Sequence, residues 1–176
     1  IGHLTLGRGA LDSIRLHADP TTANILLLGT NLLSRSLALE LTLAGTLGIT
    51  IADPWDAQAS VLTDAINAIE GGNARTVEDA LTLSYESIDI VIATEENRPL
   101  PTEFKLPKFR EDLVVVDTSL DPKASSIIKE ATAANSCQID GLEVTAATMA
   151  INYRDLTGIE PDTEALREAL DEFLDY

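Results

Sequence analysis

Two hydrophobic rhythms alternate along the chain. Short runs rich in Leu, Ile and Val recur at Asn24–Gly29, Gly48–Ala52, Ile88–Ala93, Leu113–Asp117 and Ser136–Ile139. Their apolar residues are consecutive rather than alternating, the pattern of strands covered on both faces. Between these runs, apolar positions repeat at three and four, as on the buried stripe of a helix, over Leu32–Ala44, Ala57–Ile69 and Ala124–Ala133. A weaker run at Ala74–Val77 brings the expected strands to six. Two further helices, Val144–Thr157 and Asp162–Leu174, close the chain, separated by Gly158 and Pro161.

Buried strands that alternate with helices pair in parallel through right-handed crossovers. The expected class is α/β: a Rossmann-like doubly wound parallel sheet of about six strands, ordered 3-2-1-4-5-6, with helices on both faces. A helix at about Gly9–Ala18 precedes the first strand, so residues 1–20 are expected to link to a domain upstream. Residues 1–176 are then expected to be one domain of a longer chain, since the sequence opens on Ile1 rather than Met. The stretch Glu95–Arg110, with three prolines and much of the basic charge, breaks the rhythm. It is expected as a loop on the carboxyl edge of the sheet, where such folds bind ligands.

Composition narrows the partners. With 12 Lys+Arg against 29 Asp+Glu, the formal net charge is −17. Such a chain repels a phosphate backbone or an anionic lipid surface, so neither nucleic acid nor membrane is expected as a partner. A hydrophobic content of 45% supports a core and excludes wholesale disorder. No apolar run reaches the roughly 18–20 residues of a membrane span, and no signal peptide is evident, which points to the cytoplasm. The single Cys137 excludes an internal disulfide and any multi-cysteine metal site. His3 and His17, 14 apart, lack a ligand spacing.

The first strand runs into Gly29 and then a helix, the context in which backbone amides approach a dinucleotide pyrophosphate. Thr30, Asn31, Leu32 and Leu33 follow in place of further small residues. Asn31 tolerates left-handed backbone angles, whereas Leu32 sets a branched side chain beside the anion. Two readings stand: a weakened nucleotide site, or an inherited strand–turn–helix that binds no dinucleotide. Asp53, 24 residues after Gly29, ends the second strand. There a carboxylate accepts hydrogen bonds from the adenosine ribose and repels the 2′-phosphate of NADP. Asp53-Pro54 is equally an ordinary turn starter. Trp55 either covers an adenine or packs at a helix start.

The segment Gln138–Gly158, QIDGLEVTAATMAINYRDLTG, resembles the closing segment of the shikimate dehydrogenase family, where a Gly-Leu turn leads into a helix. Leu113–Pro122, LVVVDTSLDP, is similar to that family's fifth strand and its Asp-x-x-Tyr-x-Pro turn. Ser34-Arg35 matches the end of the family's Gly-Ala-Gly-Gly-Ala-Ser-Arg pattern, and Gly29 its first glycine. The opening Leu4-Thr5-Leu6-Gly7-Arg8-Gly9 resembles Asn-Thr-Asp-Gly-x-Gly. The resemblance implies the C-terminal, NAD(P)-binding domain of that family. It implies a cofactor set of Gly29, Asn31, Ser34, Asp53, Thr94 and Gly141, with Thr148 toward substrate. The cofactor is NAD or NADP, held weakly, with NAD preferred. A small molecule and an upstream domain of the same chain are the implied partners; the oligomeric state stays open.

Departures from the family pattern imply a degenerate copy. Leu6 stands at the position of the family's proton-handling Asp, whose Lys partner would come from the upstream domain. Leu120 replaces a substrate-lining Tyr, and Thr148 a Gln. Ala93-Thr94-Glu95-Glu96 replaces Asn-Ala-Thr-Pro, and Asp53-Pro54-Trp55 replaces the Asn-Arg-Thr that grips the NADP 2′-phosphate. No catalytic residue and no metal ligand are therefore expected. Asp117 and Asp140 are read as caps before acid/base groups, Cys137 as a buried hydrophobe, and Met149 with Tyr153 as core. Thr145 and Thr148 either face a cleft or pack a helix, and Asp171–Asp175 is a solvated face. Three functions compete: a shikimate-pathway oxidoreductase domain, a non-catalytic module fused to a pathway enzyme such as 3-dehydroquinate dehydratase, and a sensor of pathway intermediates. The second is favoured.

Overall fold

The computed structural model describes residues 4–55, 58–77, 87–94, 98–101, 104, 106, 108–121 and 125–174. Six strands form one sheet: β1 (Asn24–Leu28), β2 (Gly48–Ala52), β3 (Ala74–Thr76), β4 (Ile90–Ala93), β5 (Val114–Asp117) and β6 (Cys137–Ile139). All pairs are parallel and the order is β3-β2-β1-β4-β5-β6. The register aligns Leu28 with Ala52 and Ala93, and Ala93 with Asp117. The carboxyl ends of four strands thus open on one edge, on either side of the point where the strand order reverses.

Burial follows strand position. The five residues of β1 and β2 and the four of β4 and β5 are buried beyond their first positions. The end strands β3 and β6 are only half covered. The expectation that Ser136–Ile139 is buried on both faces is corrected: β6 is an edge strand, and Cys137 and Gln138 are partly exposed. Alternate side chains feed two cores. Ile25, Leu27, Ile51, Ile90 and Ile92 meet α1 (Leu6–His17), α2 (Leu32–Ala44), α3 (Ala59–Asn67) and α5 (Gly141–Thr157) on one face. Leu26, Leu28, Val91 and Val115 meet α4 (Ser126–Ala133) together with Phe104, Leu106 and Phe109 on the other.

Helices therefore lie on both faces, but the second face has one described helix. The Pro-rich stretch does more than edge the sheet: its aromatic and leucine side chains cover that second face in place of a helix. Residues 95–97, 102–103, 105 and 107 of it lie outside the described residues.

Helix α1 starts three residues earlier than its apolar pattern indicates and is packed between α2 and α5, with Ala10, Leu11 and Ile14 in the core. Thr5 donates to Asn152 Oδ1 at 2.8 Å, tying the start of α1 to α5. Helix α5 also starts early, because Asp140 caps it: its carboxylate accepts from the amides of Leu142 and Glu143 at 3.1 and 2.9 Å. Such a cap is worth about 1 kcal/mol. A last helix, α6 (Thr163–Phe173), packs on α5, with Arg167 2.6 Å from Asp140. Among the described residues no helix is long and apolar enough to cross a membrane.

Candidate functional site

Gly29 ends β1 with φ 97°, a left-handed conformation that side chains other than glycine's adopt at a cost. Its amide donates to the Ala52 carbonyl at 2.8 Å, so the turn leaves the sheet at the carboxyl edge. Asn31 then caps α2: its Oδ1 accepts from the Ser34 amide at 3.0 Å. Its φ is −66°, so it serves as a cap in extended geometry rather than through left-handed angles. The Asn31 amide group also donates to the Thr94 carbonyl at 2.7 Å. Ser34, fully buried, shares a 2.6 Å hydrogen bond with the Thr94 hydroxyl, which itself donates to Leu28 at 2.8 Å. Asn31, Ser34 and Thr94 thereby bolt the first turn to the end of β4. Ser34 positions the turn from beneath.

The amide of Ser34 is taken, and α2 presents its first residues, Leu32 and Leu33, to the cleft. The positive end of the helix dipole points there, favourable for an anion. Leu32 is 60% exposed at this mouth, so the crowding expected from its side chain is present. Arg35 folds back and donates from Nε to the Thr30 carbonyl at 3.1 Å.

Asp53 sits across the turn at the end of β2. Thr30 donates to its Oδ2 at 2.5 Å, and the Trp55 amide to its Oδ1 at 3.2 Å. Both carboxylate oxygens are engaged within the protein, Oδ2 by the hydroxyl of the turn residue Thr30 and Oδ1 by the Trp55 amide. Beside Asp53 lies a cavity of about 300 Å³ walled by Pro54, Ser60, Thr76, Val77 and Phe104. Trp55 does not open a helix, since α3 begins at Ala59. Its indole donates to the Pro99 carbonyl at 3.0 Å, and Arg98 stands 5.6 Å from its ring centroid. This clasp, joining the β2 turn to the Pro-rich stretch, has no signature in local periodicity because its halves are 44 residues apart.

A larger cavity of about 530 Å³ lies on the other side of the first turn. Leu6 and Leu120 form part of its wall, together with Thr94, Thr145, Thr148 and Met149. Leu6 and Thr148, assigned to this region on sequence grounds, thus meet in one cleft. The reading of Met149 and Tyr153 as core is corrected: they are 41% and 45% exposed. Helix α5 buries its other side, through Val144, Thr148 and Ile151, which turns the Met149–Tyr153 stripe outward.

Gly141 lies at the start of α5, against the end of β5. A Cβ there would stand 2.6 Å from the Thr118 carbonyl oxygen and closer still to that of Ser119. The glycine is required by this contact. Asp117 accepts from the Ser119 amide at 2.9 Å and from the Ser125 hydroxyl, so it holds the turn after β5. Asp140 caps α5 and pairs with Arg167. Burial pulls the Arg167 pKa down, but the Asp140 hydrogen bond and the Asp140 and Asp171 charges outweigh it and hold it above the ordinary value. Cys137 is half-buried, and desolvation, reinforced by the Glu143 charge, raises its thiol pKa. That disfavours the thiolate a nucleophile needs. Among the described residues no cluster of three His, Cys, Asp or Glu side chains suits a metal.

Similarity to known proteins follows this layout. The chain is 26% identical over 178 residues to the shikimate dehydrogenase (NADP(+)) of Methanocaldococcus jannaschii, covering 97% of this chain and 62% of the relative. The chain is shikimate-dehydrogenase-like. No family model matches it. A solved shikimate 5-dehydrogenase from Listeria monocytogenes, in complex with shikimate and NAD, superposes on this shikimate-dehydrogenase-like chain with a TM-score of 0.83 at 21% identity, over 96% of this chain and 63% of that one. The dehydroquinate dehydratase and shikimate dehydrogenase structure from S. pombe superposes with a TM-score of 0.73 at 17% identity, over 94% of this chain and 34% of that one. The two superpositions carry the fold. The chain spans less than two thirds of the length of each of these proteins.

Proposed function

We propose that this chain is the nicotinamide-nucleotide half of a shikimate-pathway protein of the cytoplasm, able to hold NAD weakly but not to turn over shikimate by itself. The observation that carries this is the wall of the larger cavity. Leu6 stands where the resemblance places the family's proton-handling Asp, and among the described residues of that wall none ionises in the neutral range. The cofactor's fit is partial. The Gly29 turn, the α2 N-terminus and the cavity beside Asp53 suit a pyrophosphate and an adenosine, while Leu32 narrows the approach. A bound nicotinamide supplies a hydride acceptor. The chain's own residues supply its seat: Gly29 and Asn31 shape the turn, Ser34 and Thr94 brace it, Asp53 faces the ribose, Thr148 stands in the far wall, and Gly141 lets α5 start against the end of β5. The remaining half of the cleft comes from a partner domain. A fused dehydroquinate dehydratase, the combination present in the S. pombe structure, is the arrangement proposed.

An active cofactor domain awaiting its substrate domain is the second reading, favoured by the intact Gly29 turn and the cap on α2. Calorimetric titration separates a weakened site from a lost one. Leu32→Gly removes the side chain at the helix mouth and is expected to tighten NAD binding by about 1 kcal/mol, roughly fivefold. Absence of binding by both proteins at millimolar NAD would show that the turn is not the decisive lesion.

NAD is expected to bind about tenfold more tightly than NADP, a difference of roughly 1.4 kcal/mol. Asp53 sets a negative charge beside the ribose, and Arg35 and Arg75 each place one guanidinium N–H on the protein. Arg35 Nε donates to Thr30, and Arg75 Nε donates to the Thr50 hydroxyl at 2.9 Å. A 2′-phosphate would meet the like charge of Asp53 unless an arginine, Arg35, Arg75 or Arg98, turned to it. Competition titrations followed by Trp55 fluorescence give the ratio. A ratio favouring NADP, lost in Arg98→Ala, would reverse the assignment.

A further inference from the structure

Helix α2 is apolar on both sides. Its inner side, Leu37, Ala38 and Leu41, is buried in the core. Leu32, Leu39 and Leu43 turn the other way and are 60%, 38% and 67% exposed. Their spacings are seven and four. At 3.6 residues per turn the three fall within about 40° of one another, a single stripe along the helix. A helix that is apolar all round is ordinarily covered on both sides. Here the sheet covers one side, and α1 and α3 pack beside α2 on the same face of the sheet and leave the stripe exposed.

The charge around the stripe departs from that of the chain. Helices α1 and α2 carry Arg8, Arg15 and Arg35 against Asp12 and Glu40, in a protein of net charge −17. Two copies of so acidic a chain repel one another over most of their surface. The face of α1 and α2 is where they can approach, because it is apolar along its centre and close to neutral at its flanks.

A two-fold contact sets one patch against itself. Leu39, in the middle of the stripe, then lies near the axis. Arg35 and Glu40 stand on opposite flanks, about 60° and 80° from the centre of the stripe. A parallel pairing of α2 with its copy therefore turns each Arg35 toward the other copy's Glu40, the charged positions that flank a helical seam. Arg35 is exposed and gives its Nε to Thr30. Three leucines fall short of the roughly 800 Å² that each partner gives a standard interface. The exposed Arg8 of α1 and Val61 of α3 extend the contact.

We propose that the outer face of α2 is the contact between two copies of this chain, paired in parallel about a two-fold axis with Leu32, Leu39 and Leu43 in the seam. The inference stands apart from the nucleotide reading. Sedimentation velocity on the whole chain, from about 1 to about 300 μM, tests it; a dimer half-formed at tens of micromolar is expected for a contact of this small class. Leu39→Glu places two carboxylates at the axis and is expected to weaken association at least about tenfold. Leu43→Glu, at the more exposed position, is expected to do the same, and circular dichroism checks that both variants stay folded. Arg35→Glu is expected to weaken the pair, and Arg35→Glu combined with Glu40→Arg to restore it.

A chain that stays monomeric across the whole range would overturn the proposal, as would a dimer that both leucine variants leave intact. A double charge swap as weak as Arg35→Glu alone would reject the parallel pairing. Residues 162–174, the sequence of the acidic α6 made as a free peptide, serve as a rival occupant. Binding of that peptide to a parent chain that remains monomeric would assign the face to an acidic helix and reject the second copy.

Discussion

Shikimate or quinate, mixed with this chain and either nicotinamide cofactor, is expected to give no reduced cofactor above the buffer blank. Oxidising a secondary alcohol by hydride transfer requires a group to accept the hydroxyl proton as the hydride leaves. On the proposed reading the side chain at the place of that group is Leu6, 39% exposed at the cleft wall. The nearby threonine hydroxyls are poor bases and already donate to backbone carbonyls. Loss of a positioned acid/base alone costs roughly 10²–10⁴ in rate. Orientation is a second loss, because the alcohol carbon must be held about 3–3.5 Å from the nicotinamide. Leu120 offers that alcohol no hydrogen bond, and Thr148 is short and back-bonded to Val144. The measurement is the absorbance of reduced nicotinamide at saturating substrate. Turnover above the blank that disappears in Leu32→Glu, where the new carboxylate repels the pyrophosphate, would place the active-enzyme reading first.

The sheet was legible because its signal is local. Runs such as Gly48–Ala52 are consecutive apolar residues bounded by turn formers, and the strand occupies those same residues. The α2 helix likewise begins at Leu32 and ends at Ala44, between the Asn31 cap and the left-handed Gly45. What escaped depends on partners far away in sequence. β6 reads as a buried strand in isolation, and only its place at the sheet edge exposes Cys137. Met149 and Tyr153 have core spacing, but the packing of α5 on α1 decides which stripe faces inward. The place of Asp53 at the end of β2 is legible from its distance to Gly29; its hydrogen bond from Thr30 is not, because the pair joins the ends of two different strands. The same limit hid the clasp of Trp55 with Arg98 and Pro99. Asp117 and Asp140, whose sequence context indicates caps, hold the turn after β5 and the start of α5, because those bonds are local.

Gly9→Val is expected to lower stability by about 1–3 kcal/mol, the range for overpacking a close contact. A Cβ at Gly9 would stand 2.9 Å from the backbone nitrogen and Cα of Thr148, and closer still to the Thr148 hydroxyl. The nearest obstacles include backbone, so a rotamer change cannot relieve the clash. Helices α1 and α5 must separate. That separation would strain the Thr5–Asn152 hydrogen bond and loosen Ala10, Leu11 and Ile14, which are buried in the core. It would also part Leu6 from Thr148 and so widen the cleft. Each kcal/mol should lower the melting temperature by roughly 2–4 °C at this chain length. Arg8→Ala, at the exposed neighbouring position, is the control and should stay within about 0.5 kcal/mol of the parent. Thermal and denaturant unfolding give both values. If Gly9→Val unfolds with the parent, α1 is a linking helix that the rest of the domain does not need. If it falls as expected, α1 is part of the domain's own core, and the cleft wall it carries at Leu6 is a fixed feature of this chain.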